Sequence, residues 1–170
     1  KMYANESEGE KFPPQAHALG DACADIGGIS WMPQGDLVYP EYLTDANILV
    51  CPSDADGKQE YEEGRWNCGE DPDAPLCPCN FDDLSYVYVS WAITDGLAFA
   101  AGTDPNDPTI TKMTSINFIN ADLVAALLGM FTALGGASTR ADAEAVVEDD
   151  LDVGALTGYR LREGIERFFI

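Results

Sequence analysis

Five cysteines, Cys23, Cys51, Cys68, Cys77 and Cys79, are the residues whose type and spacing most plainly invite chemistry. Four of them fall between positions 51 and 79, in a stretch rich in Asp, Glu, Pro and Gly. Such a cluster staples an irregular surface excursion in an oxidising compartment. Five thiols leave one unpaired. Cys77 and Cys79, separated only by Pro78, are expected to take different partners, and the pairing is otherwise open. The alternative is a zinc or iron–sulfur site on Cys51, Cys68, Cys77 and Cys79, although the stretch lacks the paired C-x2-C knuckles such sites use.

Carboxylates offer the second chemistry. Hard cations gather carboxylates and carbonyls on loops. Asp104, Asn106 and Asp107, in the turn-rich run Thr103–Pro108, are the leading calcium candidates. Asp54 with Asp56, and Asp71, Asp73, Asp82 and Asp83, form further acidic groups. An EF-hand register fails from Asp54, where positions 5 and 12 are Lys58 and Arg65, and from Asp150, where they are Gly154 and Leu161. Any calcium site is therefore irregular. His17 is the sole histidine, so no zinc or triad geometry can be built around imidazoles. The nucleophile-elbow, H-E-x-x-H and P-loop motifs are missing, and no catalysis is expected.

The charge balance sets the partners. Thirty acids against nine bases give a net charge of −21, a field that repels nucleic acid and anionic lipid. A hydrophobic content of 46% with three Trp, seven Tyr and seven Phe argues for a folded chain, and 170 residues suit one domain. No segment approaches the roughly 20 apolar residues needed to span a bilayer.

The elements that must position these groups can be read in order. Lys1–Glu8 suits the last turns of a longer helix, Gly9 its C-terminus, and Phe12-Pro13-Pro14 an extended exit. Ala16–Gly28 shows no clear period. Pro40–Leu43 suits a single turn, and Ile48–Val50 a short buried strand. Residues 53–83 carry few apolar residues at any period and read as a cysteine-linked, acidic insertion loop. Leu84–Ile93 alternates Tyr86 and Tyr88 against Val87, Val89 and Trp91 and predicts a strand. Asn120 caps an expected helix over 121–134, with a face of Leu123, Leu127, Met130 and Leu134. Ser138 or Thr139 caps another over 139–148, with a stripe of Ala141, Ala145 and Val146. A last helix over 160–169 places Leu161, Ile165, Phe168 and Phe169 at helical spacing and holds Arg160, Arg162 and Arg167. On so acidic a molecule that basic run suggests pairing with acids of the same subunit or a neighbour.

Three stretches together carry a family likeness. Lys1-Met-Tyr-Ala-Asn-Glu-Ser7 followed by Lys11-Phe-Pro-Pro14 resembles the junction after the N-terminal helix of bacterial prepilin-type proteins, the type IV pilins and type II secretion pseudopilins. Tyr39–Asp45 running into Ile48–Asp54, and Tyr159–Ile170, resemble the same family. The resemblance implies an α+β, pilin-like domain over 1–170, with an N-terminal helix packed on a small antiparallel sheet and the 53–83 loop displayed outward. It implies a hydrophobic membrane helix before Lys1 and further chain after Ile170. It also implies assembly with copies of itself or related pilins into a surface filament or secretion pseudopilus. Such a subunit is held in the inner membrane through that helix before assembly, and works at the cell surface or in the periplasm. Some pseudopilins hold calcium in a loop. A secreted calcium-dependent binding or adhesion module, using the stapled acidic loop, is the rival expectation.

Overall fold

The computed structural model describes residues 2–104, 119–154 and 156–158. Helix α1 (Met2–Glu6) opens the chain, and Gly9 takes a φ of 77° where the chain turns away. Strands β1 (Gln15–Leu19) and β2 (Asp25–Pro33) then form an antiparallel hairpin with register shifts on either side of Ala16. The later elements are α2 (Gly35–Val38), α3 (Ala55–Glu62), α4 (Asp95–Ala98), α5 (Ala121–Gly135), α6 (Arg140–Glu148), β3 (Leu151–Val153) and β4 (Leu156–Gly158). Strands β3 and β4 pair as a second antiparallel ribbon, so the described residues are α+β.

The hairpin escaped periodicity because β1 is covered on both faces: Gln15, Ala16, His17 and Ala18 are all buried. A strand with no solvent face has no reason to alternate. The strand contacts α6 and the 3-10 turn Pro78–Asn80.

Apolar side chains gather in two cores among the described residues. The first joins Leu123, Met130 and Leu134 of α5 to Ala143 and Val147 of α6, with Trp91, Leu97, Leu151 and Val153 closing it. Asn120 caps α5 by accepting from Asp122 N at 2.9 Å, and Thr139 and Asp142 form a reciprocal capping box on α6. The helix bounds fall within one residue of the expected ones, but the buried stripe of α6 is Ala143 and Val147, with Ala141 and Ala145 exposed. With several small residues at i, i+4 spacing, the sequence leaves the rotation of this helix undetermined, and packing on β1 and α5 settles it. The expected helix over 160–169 lies outside the described residues.

The second core is aromatic. Trp66, 0% exposed, packs tilted against Phe81 at 5.1 Å between ring centroids, with Tyr61 edge-on to Trp66 and Tyr39 edge-on to Phe81. Residues 53–83 are therefore not a featureless loop. Asp54 accepts from Gly57 N at 2.9 Å and starts α3, a helix whose one large core contact is Tyr61, too little to show as a hydrophobic period.

Two expected strands do not form among the described residues. Residues 46–49 are a 3-10 turn because the Asp45 carboxylate accepts from Asn47 N at 2.9 Å, and Ile48 is left 66% exposed. Capping chemistry here outweighs three apolar residues. Over 84–93 the chain bonds β2 through Tyr88 N to Trp31 O at 2.6 Å, and the Gln15 side chain supplies further links, to Tyr88 O at 3.1 Å and Ser90 N at 3.2 Å. A buried amide side chain thus stands where ladder bonds were expected. The helices lying on the hairpin are α5 and α6 from the C-terminal half. Helix α1, expected to pack on the sheet, is tied to the 39–45 stretch through Tyr3 against Tyr42, at 5.3 Å between rings.

Candidate functional site

A cavity of about 830 Å3 opens between the hairpin end of β1 and the stapled segment. Covalent bonds set its shape. Cys23 pairs with Cys79, and Cys68 with Cys77, so the two cysteines around Pro78 do take different partners. The first bond brings the β1–β2 turn against residues 78–80, and the second closes the loop over 68–77. Cys51 is the free thiol. A bond from the Ser53 backbone N–H and another from the Tyr86 hydroxyl lower its pKa.

The cavity wall is acidic. Among the described residues, Asp21, Glu60, Glu63, Glu70 and Asp82 line it against a single cation, Arg65. Asp21 is held by Gly69 N at 2.8 Å and Asn80 Nδ2 at 2.9 Å, which locks the turn to the loop. Arg65 donates from Nε and Nη2 to Asp82 Oδ2, at 2.9 and 2.6 Å, and from Nη1 to Glu60. The Asp82 bond, with these charges, raises the guanidinium further above its ordinary pKa. Asp82 also accepts from Trp66 Nε1 at 2.8 Å, so the wall is anchored to the aromatic core.

Behind the cavity lies a buried polar seam. Gln34 Oε1 accepts from His17 N and Ala18 N, at 2.9 and 3.1 Å, while its Nε2 donates to Asp36 Oδ1 at 2.7 Å and to Cys79 Sγ at 3.3 Å. Asp36 receives both Nη groups of Arg140, at 2.7 and 3.0 Å. Burial alone would raise the Asp36 carboxyl, but the bonds from Arg140 and Gln34 outweigh it and hold the pKa below the ordinary value. His17 is fully buried, with Nδ1 at 2.9 Å from Gln15 O, and burial lowers its pKa. It does not line the cavity.

Of the calcium candidates, Asp104 is exposed, while Asn106 and Asp107 lie outside the described residues. Three of the other acids highlighted by the sequence serve locally. Asp54 caps α3 and accepts from Ser85, Asp71 accepts from Asp73 N at 3.0 Å, and Asp82 holds Arg65 and Trp66. Among the described residues, the groups whose three donor atoms lie within 4.8 Å are Asp21 with Cys68 and Cys77, and Asp36 with Cys23 and Cys79. In both, the sulfurs are bonded to each other and are not thiolate ligands. Sequence reasoning missed Asp21, Glu60, Glu63, Glu70 and Arg65 as neighbours. Only the pairing of Cys23 with Cys79, which spacing does not specify, would have placed Asp21 beside the loop.

Comparison with protein-family models, curated proteins and solved structures yields no match to this chain. Among the described residues, no helix is long and apolar enough to cross a membrane.

Proposed function

We propose that this chain is the globular domain of a prepilin-type structural subunit, assembling with copies of itself or related pilins into a surface filament or secretion pseudopilus. One observation carries the reading. Two of the stretches that resemble the family, Lys1–Pro14 and Tyr39–Asp54, are far apart in sequence and meet in the fold. Tyr3 packs edge-on against Tyr42, and the Tyr42 hydroxyl donates to Glu6 Oε2 at 2.6 Å. That bond pushes the Tyr42 pKa up to about 12. A subunit held in a filament by its N-terminal helix needs that helix coupled to its globular part. Lys11, 3.5 Å from Glu148 of α6, adds a second tie. Two disulfides are compatible with a periplasmic or extracellular setting.

Intact mass and terminal sequencing of the protein from the cells that make it test this reading. The expected result is a methylated apolar segment preceding Lys1, in material recovered from sheared surface filaments. A secreted monomer beginning near Lys1 would overturn it. That outcome would favour the second reading, a secreted binding module, for which the acidic cavity is the supporting observation.

A further inference from the structure

We propose that the exposed face of α5 is a contact between two copies of this chain, with the two α5 helices lying antiparallel on each other. The inference does not rest on the filament reading.

Composition sets this face apart. Charged side chains make up 23% of the chain, yet residues 123–139 carry none, the longest such interval in the sequence. Helices α3 and α6 show how the same chain writes a helix that meets water. Asp56, Lys58 and Glu62 are exposed on the first, and Asp142 on the second. On α5 the exposed positions after Asp122 are Ala125, Leu128, Gly129, Thr132, Ala133 and Gly135. Leu128 is 59% exposed, and the Thr132 hydroxyl donates to Leu128 O at 2.8 Å, spending its hydrogen inside the helix. A helix apolar on its inner and outer faces alike is written for burial on both.

Charge and shape choose the occupant. Two bodies of net charge −21 repel wherever their acids meet, and apposing the two uncharged faces keeps those acids apart. The exposed positions are also arranged evenly about the middle of the helix. Leu128 and Gly129 straddle it, with Ala125 and Thr132 three residues further out on either side. A two-fold axis there places Leu128 of each copy against Gly129 of the other, and Ala125 against Thr132. A Cβ on Gly129 would meet nothing within 4 Å, so the helix surface there is open and its missing side chain leaves a hollow for a leucine. A large side chain beside an absent one is self-complementary, as a two-fold contact requires. Size sets the strength. At 1.5 Å per residue α5 is about 22 Å long. A single helix-on-helix strip of that length falls well short of the roughly 800 Å2 per partner of a stable dimer. The pairing is therefore weak, and forms at high protein concentration or where copies are already held side by side.

Sedimentation equilibrium of the full chain at millimolar concentration tests this, at about 0.1 and 1 M salt, between which the screening length falls from about 10 to 3 Å. Reversible dimerisation is expected, about tenfold tighter at the higher salt as the acids are screened. Leu128→Glu should abolish it with helical circular dichroism unchanged, since that side chain is already exposed. Gly129→Leu favours the helix but fills the hollow, so it should weaken dimerisation although it adds apolar surface. Ile48→Glu and Val87→Glu, at other exposed apolar side chains, should leave it unchanged. A monomer at both salts, association that survives Leu128→Glu, or association that Gly129→Leu strengthens overturns the proposal. So does slow thiol labelling of Leu128→Cys in dilute Cys51→Ser protein, because the face would then be covered within one chain.

Discussion

The two cores found among the described residues were built by different means. Around α5 and α6, aliphatic residues at helical spacing interlock: Leu123, Met130 and Leu134 meet Ala143 and Val147, and capped helix ends fix the frame. Around Trp66 and Phe81, three buried residues suffice because the surrounding chain is cross-linked and polar groups close the gaps. The first core holds its segments together by burying them. In the second, disulfides limit how far the chain can stray, and a few large rings do the rest. A region with little apolar sequence can thus fold when its unfolded state is already confined.

Separating these modes is the purpose of the largest expected effect. Replacing Cys23 and Cys79 together by serine opens a loop with a sequence separation of 56. The loop-closure model puts the loss at about 4 kcal/mol. Denaturant unfolding should show the Trp66 region melting ahead of the α5–α6 core, with helical circular dichroism outlasting tertiary signals. Coincident transitions would mean that the two cores form one cooperative unit. The converse substitution, Leu134→Ala, empties a buried site in α5 and should cost about 3 kcal/mol. Its effect should be largest in hydrogen exchange of α5 and β3, with the stapled segment still protected by its cross-links.

The seam between the cores should respond to pH. His17 is buried neutral, so its contribution is complete above the ordinary value of 6.5 and declines as pH falls through its lowered folded pKa. It is faced by Gln15 from its own strand, by Asp36 from α2, and by Arg140 and Glu144 from α6. Asp36, depressed below 3.8, adds a second loss at lower pH, as its carboxylate is protonated and releases Arg140. Two steps are expected in unfolding free energy against pH, and His17→Asn should remove the upper one alone. The smallest effect is that of Thr139→Ala, about 1 kcal/mol through loss of the α6 capping box. Thermal melts should place it in the aliphatic core.

This contrast also explains what could be read from the sequence. Helices α5 and α6 announced themselves because Asn120 and Thr139 precede apolar residues three and four apart, which is how a one-sided helix must be written. The hairpin did not, because β1 has two buried faces and its polar residues are satisfied from a distance: Gln15 reaches Tyr88 and Ser90, and Gln34 reaches His17 and Ala18. Such partnerships, at separations of 73 and 75 for Gln15, leave no local trace. The cavity was legible only as an excess of acid. Its location depends on which cysteines join, and spacing left that open.

The two disulfides also make a topology. Cys77 and Cys79 flank Pro78, so the bond from Cys68 closes a small ring inside the larger one closed by Cys23. A single backbone cut anywhere between Cys23 and Cys79 therefore leaves one covalent molecule. A cut between Cys68 and Cys77 leaves even the outer ring closed. Digested by an extracellular protease, the protein would run as one band without reductant and as two fragments with it. The exposed Asp71–Asp73 tip could be nicked, or could carry a grafted peptide, while both lips of the cavity remain tethered.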